Sequence, residues 1–129
     1  MCLDVFKKDG IIMLGCGSVG FTLAILKCSC SELIESSTPS EIPTEYINIP
    51  SKGINSVSFR ADGRLIVTGG WDGSIRLFRL KTLTPLAVLN TPHTEGIQSI
   101  AFTMVENGFH YFAAGSKDSR ISIWNMYNK

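Results

Sequence analysis

Between Asn55 and Leu80 the chain alternates apolar and polar residues with period two. Val57 and Phe59 alternate with Ser56, Ser58 and Arg60, and Ala61-Asp62-Gly63 breaks the run. Leu65 and Val67 alternate again as far as Gly70-Trp71-Asp72-Gly73, after which Ile75 and Leu77 alternate against Arg76 and the bulkier Phe78. Alternation puts every second side chain on one face of a strand. Asp-Gly occurs twice, and between such runs it is the strongest short hairpin signal, because Gly accepts the positive φ of a tight turn. The stretch predicts three short strands in an antiparallel meander.

The unit recurs. Gly96 to Phe102 (GIQSIAF) repeats Gly53 to Phe59 (GINSVSF) at an offset of 43. Ala114 to Asp118 with Ile121 to Trp124 repeats Thr68 to Asp72 with Ile75 to Phe78 at an offset of 46. The difference lengthens the first hairpin of the second copy, Met104 to Phe109. Leu86 to Leu89 supplies a fourth strand to the first copy after a turn over Thr82 to Pro85, and Thr91-Pro92-His93-Thr94 leads into the second. Glu45 to Ile49 regains alternation and predicts the outermost strand of a sheet further upstream.

Residues 10–27 (GIIMLGCGSVGFTLAILK) admit three readings. Ile11 to Leu26 is 16 residues without a charge, long enough for a signal-peptide core but short of the roughly 20 that span a bilayer. Gly15-x-Gly17-x-x-Gly20 after an apolar run has the form of a dinucleotide-binding turn, with Glu35 near the place of a ribose-binding carboxylate. Against this, the following stretch is rich in Ser and Pro and no further βα units appear. The favoured reading is a degenerate copy of the repeat. Leu14 to Gly20 then matches the second turn, Leu23 to Leu26 matches Ile75 to Phe78, Gly20 replaces the turn Asp and Leu26 the closing aromatic. It predicts antiparallel strands over Ile11–Leu14 and Leu23–Leu26, next to the sheet built from Ile54 to Asn90.

Residues 28–44 (CSCSELIESSTPSEIPT) hold five serines, two prolines and three glutamates and no basic residue, the composition of a surface loop. Ser37, Thr38 and Ser40 are candidate phosphorylation sites there. The 129 residues suit one domain, and a net charge of +1 implies no general attraction to nucleic acid or acidic membranes. All four cysteines (Cys2, Cys16, Cys28 and Cys30) precede the clear repeats, a poor disulfide framework that suits a reducing, cytoplasmic or nuclear compartment. Cys28-x-Cys30 lacks a second pair at zinc spacing, so neither metal nor cofactor is expected.

A period of about 40–45 residues with Gly/Asp turns and a closing aromatic resembles the blades of WD40 propellers. The resemblance covers nearly the whole chain and rests on Val67 to Asp72, Ile75 to Phe78, Pro85 to Leu89 and Ala113 to Trp124. It is closest to the C-terminal part of the guanine-nucleotide-binding-protein β-subunit-like group that includes ASTRA-complex-associated propellers. The fold it implies is all-β, a partial WD40 β-propeller of about two and a half blades of antiparallel meander sheets. Residues 1–50 would form a degenerate partial blade carrying the loop 28–44, residues 51–92 a blade, and residues 93–129 a final blade lacking its outer strand. Closed propellers take about four to eight blades, so the remaining blades would lie outside this chain. Residues 1–9 show no alternating run that could supply the outer strand such propellers usually draw from the N-terminus.

The resemblance also implies a structural network in each blade: a His before the first strand, a Ser/Thr on the second, an Asp in the following turn and a Trp on the third. The last copy offers His93, Asp118 and Trp124, with Ala114 in place of the hydroxyl. The middle copy offers Thr68 and Asp72, with Pro50 in place of His and Phe78 in place of Trp. Neither set is expected to be complete. No catalytic constellation stands out, so the function implied is a non-enzymatic protein-interaction scaffold in a multi-subunit complex, without direct nucleic-acid or membrane binding. By resemblance the complex would be chaperone-linked or chromatin-associated and would support phosphatidylinositol-3-kinase-related kinases. A nucleotide module using Gly15, Gly17 and Gly20, or a membrane-anchored fragment through 11–26, is the alternative. Trp71 and Lys117, with Thr94 and Glu95, are candidate partner-binding residues, because the residue before each turn Asp would point outward on the face where partners dock. Trp71 could instead fold back over the neighbouring blade.

Overall fold

A computed structural model describes residues 2–17, 19–20, 22–29, 44–50, 53–90, 92–103 and 109–127, and all the regular structure among them is β. The chain lays down three antiparallel meanders in sequence order. The first sheet runs β1 (Cys2–Lys8), β2 (Ile11–Gly17), β3 (Thr22–Ser29) and β4 (Thr44–Asn48). The second runs β5 (Ile54–Phe59), β6 (Leu65–Gly70), β7 (Ile75–Arg79) and β8 (Thr84–Leu89). The third runs β9 (Ile97–Phe102), β10 (Phe109–Ser116) and β11 (Ile121–Tyr127). This is the all-β architecture of adjacent propeller blades.

The sheets stack face to face, and the second is filled on both sides. Ile66 and Phe78 point into a core shared with Leu23, Ile25, Ile47 and Ile49 of the first sheet and its connection. Val67, Ile75 and Leu77 point the other way, into a core shared with Ile97, Ile100 and Phe112 of the third sheet. Every residue of β6 is consequently buried, and so is Arg76 on β7, where simple alternation would put a polar residue in water.

The strands β2 and β3 contain the Ile11–Leu14 and Leu23–Leu26 segments, antiparallel and in the expected place. The dinucleotide-turn alternative is not the conformation found. Gly15 and Gly17 lie inside β2, and β3 begins at Thr22, where that motif needs a helix. A Cβ on Gly15 would come within 2.7 Å of Ile66 Cδ1, and one on Gly17 within 2.6 Å of Ile54 Cγ2. These glycines serve close packing of one sheet on the next. Ile11–Gly17 and Thr22–Ser29 are two separate strands rather than one span, and no helix among the described residues is long and apolar enough to cross a membrane.

Three boundaries differ from expectation. Cys2–Lys8 is a strand, at the inner edge of the first sheet, although residues 1–9 show no alternating run that predicts an outer strand. Its pattern is inverted: Cys2, Asp4 and Phe6 turn partly inward, while Leu3 and Val5 face out. Asp4 is accommodated because its carboxylate accepts the Phe59 backbone N–H at 2.8 Å. The hydroxyl of Ser56 likewise accepts the Ile100 N–H at 2.9 Å, so side chains of one blade cap edge amides of the next. The strand β3 extends through a buried Cys28, past the start of the Ser-rich composition. The strand β8 begins at Thr84, inside the expected turn. Cys30, the candidate phosphorylation sites and residues 104–108 of the long hairpin lie outside the described residues.

Candidate functional site

The turns joining the second and third strands of the last two sheets are built alike. Asp72 Oδ1 accepts the Ser74 N–H at 3.0 Å, and Asp118 Oδ1 accepts the Arg120 N–H at 2.9 Å. Gly73 (φ 81°) and Ser119 (φ 67°) both take the left-handed conformation that closes such a turn. The residue before each Asp donates its backbone N–H back to the residue that precedes the first strand of its own sheet, Trp71 to Gly53 O and Lys117 to Gly96 O, each at 3.0 Å.

In the third sheet a buried relay runs from Trp124 to Asp118. Trp124 Nε1 donates to Ser122 Oγ at 2.9 Å. Ser122 Oγ lies 2.7 Å from His93 Nε2, and His93 Nδ1 lies 3.4 Å from Asp118. An ionised carboxylate can only accept, so Nδ1–H donates to Asp118; in the neutral imidazole Nε2 is then an acceptor, and the Ser122 hydroxyl donates to it while its oxygen accepts the indole N–H. Asp118 also accepts the Thr94 N–H at 2.9 Å. Burial pushes the Asp118 carboxyl up, but the bonds from Thr94, Arg120, His93 and Ser116 outweigh it and hold the group below its ordinary 3.8. The expected gap at Ala114 is therefore filled from the strand opposite. Ser122 on β11 faces Ala114 across the ladder and supplies the hydroxyl. The signal was Ser122-x-Trp124, whose period-two spacing puts both on one face.

In the second sheet Arg76 stands where Ser122 stands in the third, facing Thr68 across the ladder. With no His available, the Arg76 guanidinium reaches the turn directly, with Nη2 3.1 Å from Asp72 Oδ2. Burial raises the Asp72 carboxyl, and the bonds from Arg76 and Ser74 pull it below the ordinary value. Arg76 Nε is buried without a hydrogen-bond partner among the described residues. Thr68 is buried beside this pair.

Trp71, Thr94, Glu95 and Lys117 come together at one end of the sheets. Trp71 O and Cα approach Gly96, whose carbonyl in turn accepts Lys117 N–H. Gly73 lies against the backbone of His93 and Glu95, where a Cβ would come within 2.8 Å of Glu95 O. Trp71 remains 45% exposed. It does fold back, though onto Gly53 of its own sheet, where a Cβ would sit 2.4 Å from the ring. Its Nε1 donates to Asn55 Oδ1 at 2.7 Å. Asn55 is the extra residue of a β-bulge in β5, and the bulge aims its amide at the indole. The result is a large, half-exposed aromatic held in one orientation, beside an exposed carboxylate and an exposed lysine.

The model of the family described as WD domain, G-beta repeat matches residues 45–79 and 83–125. The chain is 35% identical over 119 residues to ASTRA-associated protein 1 of Schizosaccharomyces pombe, covering 86% of this chain and 30% of that protein. It is 36% identical over 124 residues to guanine nucleotide-binding protein subunit beta-like protein 1 of Mus musculus, covering 96% of this chain and 33% of that protein. It is 28% identical over 164 residues to ASTRA-associated protein 1 of Aspergillus flavus, covering 98% and 36%. The chain thus spans about a third of the length of the curated relatives it matches.

Proposed function

This chain belongs to the WD40 family, and we propose that it serves as a non-enzymatic protein-interaction scaffold whose docking face centres on Trp71. Its homology to ASTRA-associated protein 1 supports membership of an ASTRA-type assembly. The finer reading is a cytoplasmic or nuclear subunit of a chaperone-linked or chromatin-associated complex that supports phosphatidylinositol-3-kinase-related kinases.

The observation that carries the docking face is the half-exposed Trp71, oriented by Asn55 and flanked by Thr94, Glu95 and Lys117. A pre-oriented Trp loses little freedom on binding, and Trp is enriched among interface hot spots. The relay through His93, Ser122 and Asp118 superficially has the order of a hydrolytic triad. The Ser122 oxygen is buried and already accepts the Trp124 indole N–H, which suits a structural role.

The test is affinity purification of the intact protein against Trp71→Ala. The substitution is expected to cost about 2 kcal/mol or more of partner affinity, with the melting temperature little changed. Undiminished partner recovery by a folded Trp71→Ala protein would remove Trp71 from the site. Absence of the kinases and their chaperones from the wild-type sample would remove the complex assignment.

A further inference from the structure

A second feature lies at the opposite end of the sheets from Trp71. The turns β1–β2, β5–β6 and β7–β8 open there onto a cleft of about 1220 Å³ between the first and second sheets. Its floor is apolar, with Phe6, Met13, Ile25 and Leu83 among the lining residues and the half-exposed Leu86 at its edge. Leu83 is held at φ 54° in the β7–β8 turn and rests on the first core.

The charge around this floor is one-sided. Six of the chain's twelve Lys and Arg residues line the cleft, but only three of its eleven acidic residues. The buried Arg60 is neutralised by a two-point pair with Asp62, at 2.9 and 2.6 Å. The other five, Lys8, Lys27, Arg64, Arg79 and Lys81, are exposed and form no ion pair among the described residues. Asp9 and Glu45 are the remaining carboxylates. A chain of net charge +1 therefore concentrates positive potential at one apolar-floored cleft. Both walls lie within these residues, so the cleft does not depend on further blades.

We propose that this cleft is a docking site for an acidic peptide segment of a partner protein, one that carries aspartates or glutamates around a short apolar anchor. The exposed cations supply complementary charge and raise the encounter rate. The aliphatic floor takes the anchor, and burial there gives affinity that charge alone, screened by salt, does not. A nucleic acid fits less well. Its phosphates would meet the rim, but Phe6, the aromatic side chain among the lining residues, is packed against Phe59 and Gly63, and the rest of the floor is leucine, isoleucine and methionine, where unpaired bases stack on aromatic faces.

The experiment titrates the intact protein into a short fluorescein-labelled peptide in which two leucines are flanked by glutamates and aspartates, read by anisotropy. Saturable binding is expected, falling with added salt. It should be lost when the acids become Gln and Asn, and also when the leucines become Ser. The double substitution Arg64→Glu with Lys81→Glu should weaken binding about tenfold or more at an unchanged melting temperature. If that reversal disturbs folding, Arg64→Gln with Lys81→Gln carries the same comparison. Absence of saturable binding overturns the proposal. So does undiminished binding by a folded rim variant, or tighter binding of an oligothymidine strand than of the peptide.

Discussion

Ser122 is the residue on which the third sheet's polar network turns. It accepts from Trp124 Nε1 and donates to His93 Nε2, so its removal strands two buried or half-buried polar atoms at once. Leaving such groups unpaired costs about 1–3 kcal/mol. Ser122→Ala is therefore expected to lower unfolding free energy by about 2 kcal/mol, measured by urea denaturation of the intact protein. Ser122→Thr, which keeps the hydroxyl, should retain most of it. Equal stability of the Ala and wild-type proteins would show that the relay is not structural. The partners His93, Asp118 and Trp124 were legible because their spacing follows the repeat. Ser122 was not, because the template places the hydroxyl on the second strand, and there the sequence has Ala114. Arg76 was missed for the same reason: its pairing with Asp72 replaces a network rather than matching one.

At the scale of strands, the small residues of β2 set how closely the first sheet approaches the second. Gly17 has no room for a side chain, since its Cβ would meet both Cβ and Cγ2 of Ile54. Gly17→Val should therefore overpack this contact and destabilise by about 1–3 kcal/mol, seen as a lowered melting temperature. ATP or NAD should give no saturable binding to the parent protein. Micromolar nucleotide affinity abolished by Gly17→Val, with stability unchanged, would restore the glycine-turn reading. The same glycines show why a motif match alone misleads: spacing records where backbones come close, and here the close neighbour is Ile54 or Ile66. Most strands could be read from period-two patterning and Gly/Asp turns. The strand β1 could not, because its outward residues Leu3 and Val5 are apolar and its inward Asp4 is polar. Double burial of β6 and β7 also escapes a one-strand pattern, since it follows from stacking sheets on both faces.

For the whole molecule, what matters is which apolar faces remain uncovered. The second sheet is covered on both sides, but the first and third each have one partner among the described residues. Leu3 and Val5 on the first are 60% and 54% exposed. On the third, Ile121 and Ile123 are 77% and 74% exposed, on the face opposite Ser122 and Trp124. These isoleucines also lie on β11, the edge strand of a three-stranded sheet, so apolar surface and unpaired ladder groups coincide there. Blades in such arrays rely on neighbours to bury their faces. Expressed alone, these 129 residues should associate or aggregate, as followed by light scattering behind size exclusion. The third sheet should dominate, because Ile121 and Ile123 are more exposed than Leu3 and Val5, and because the β1 edge packs against β5 of the next sheet through the Asp4–Phe59 contact. Ile121→Lys with Ile123→Lys should therefore reduce association more than Leu3→Lys with Val5→Lys. A monodisperse wild-type monomer with a sharp thermal transition would mean that the exposed faces do not need covering, and an equal effect of the two double variants would remove the special role given to β11.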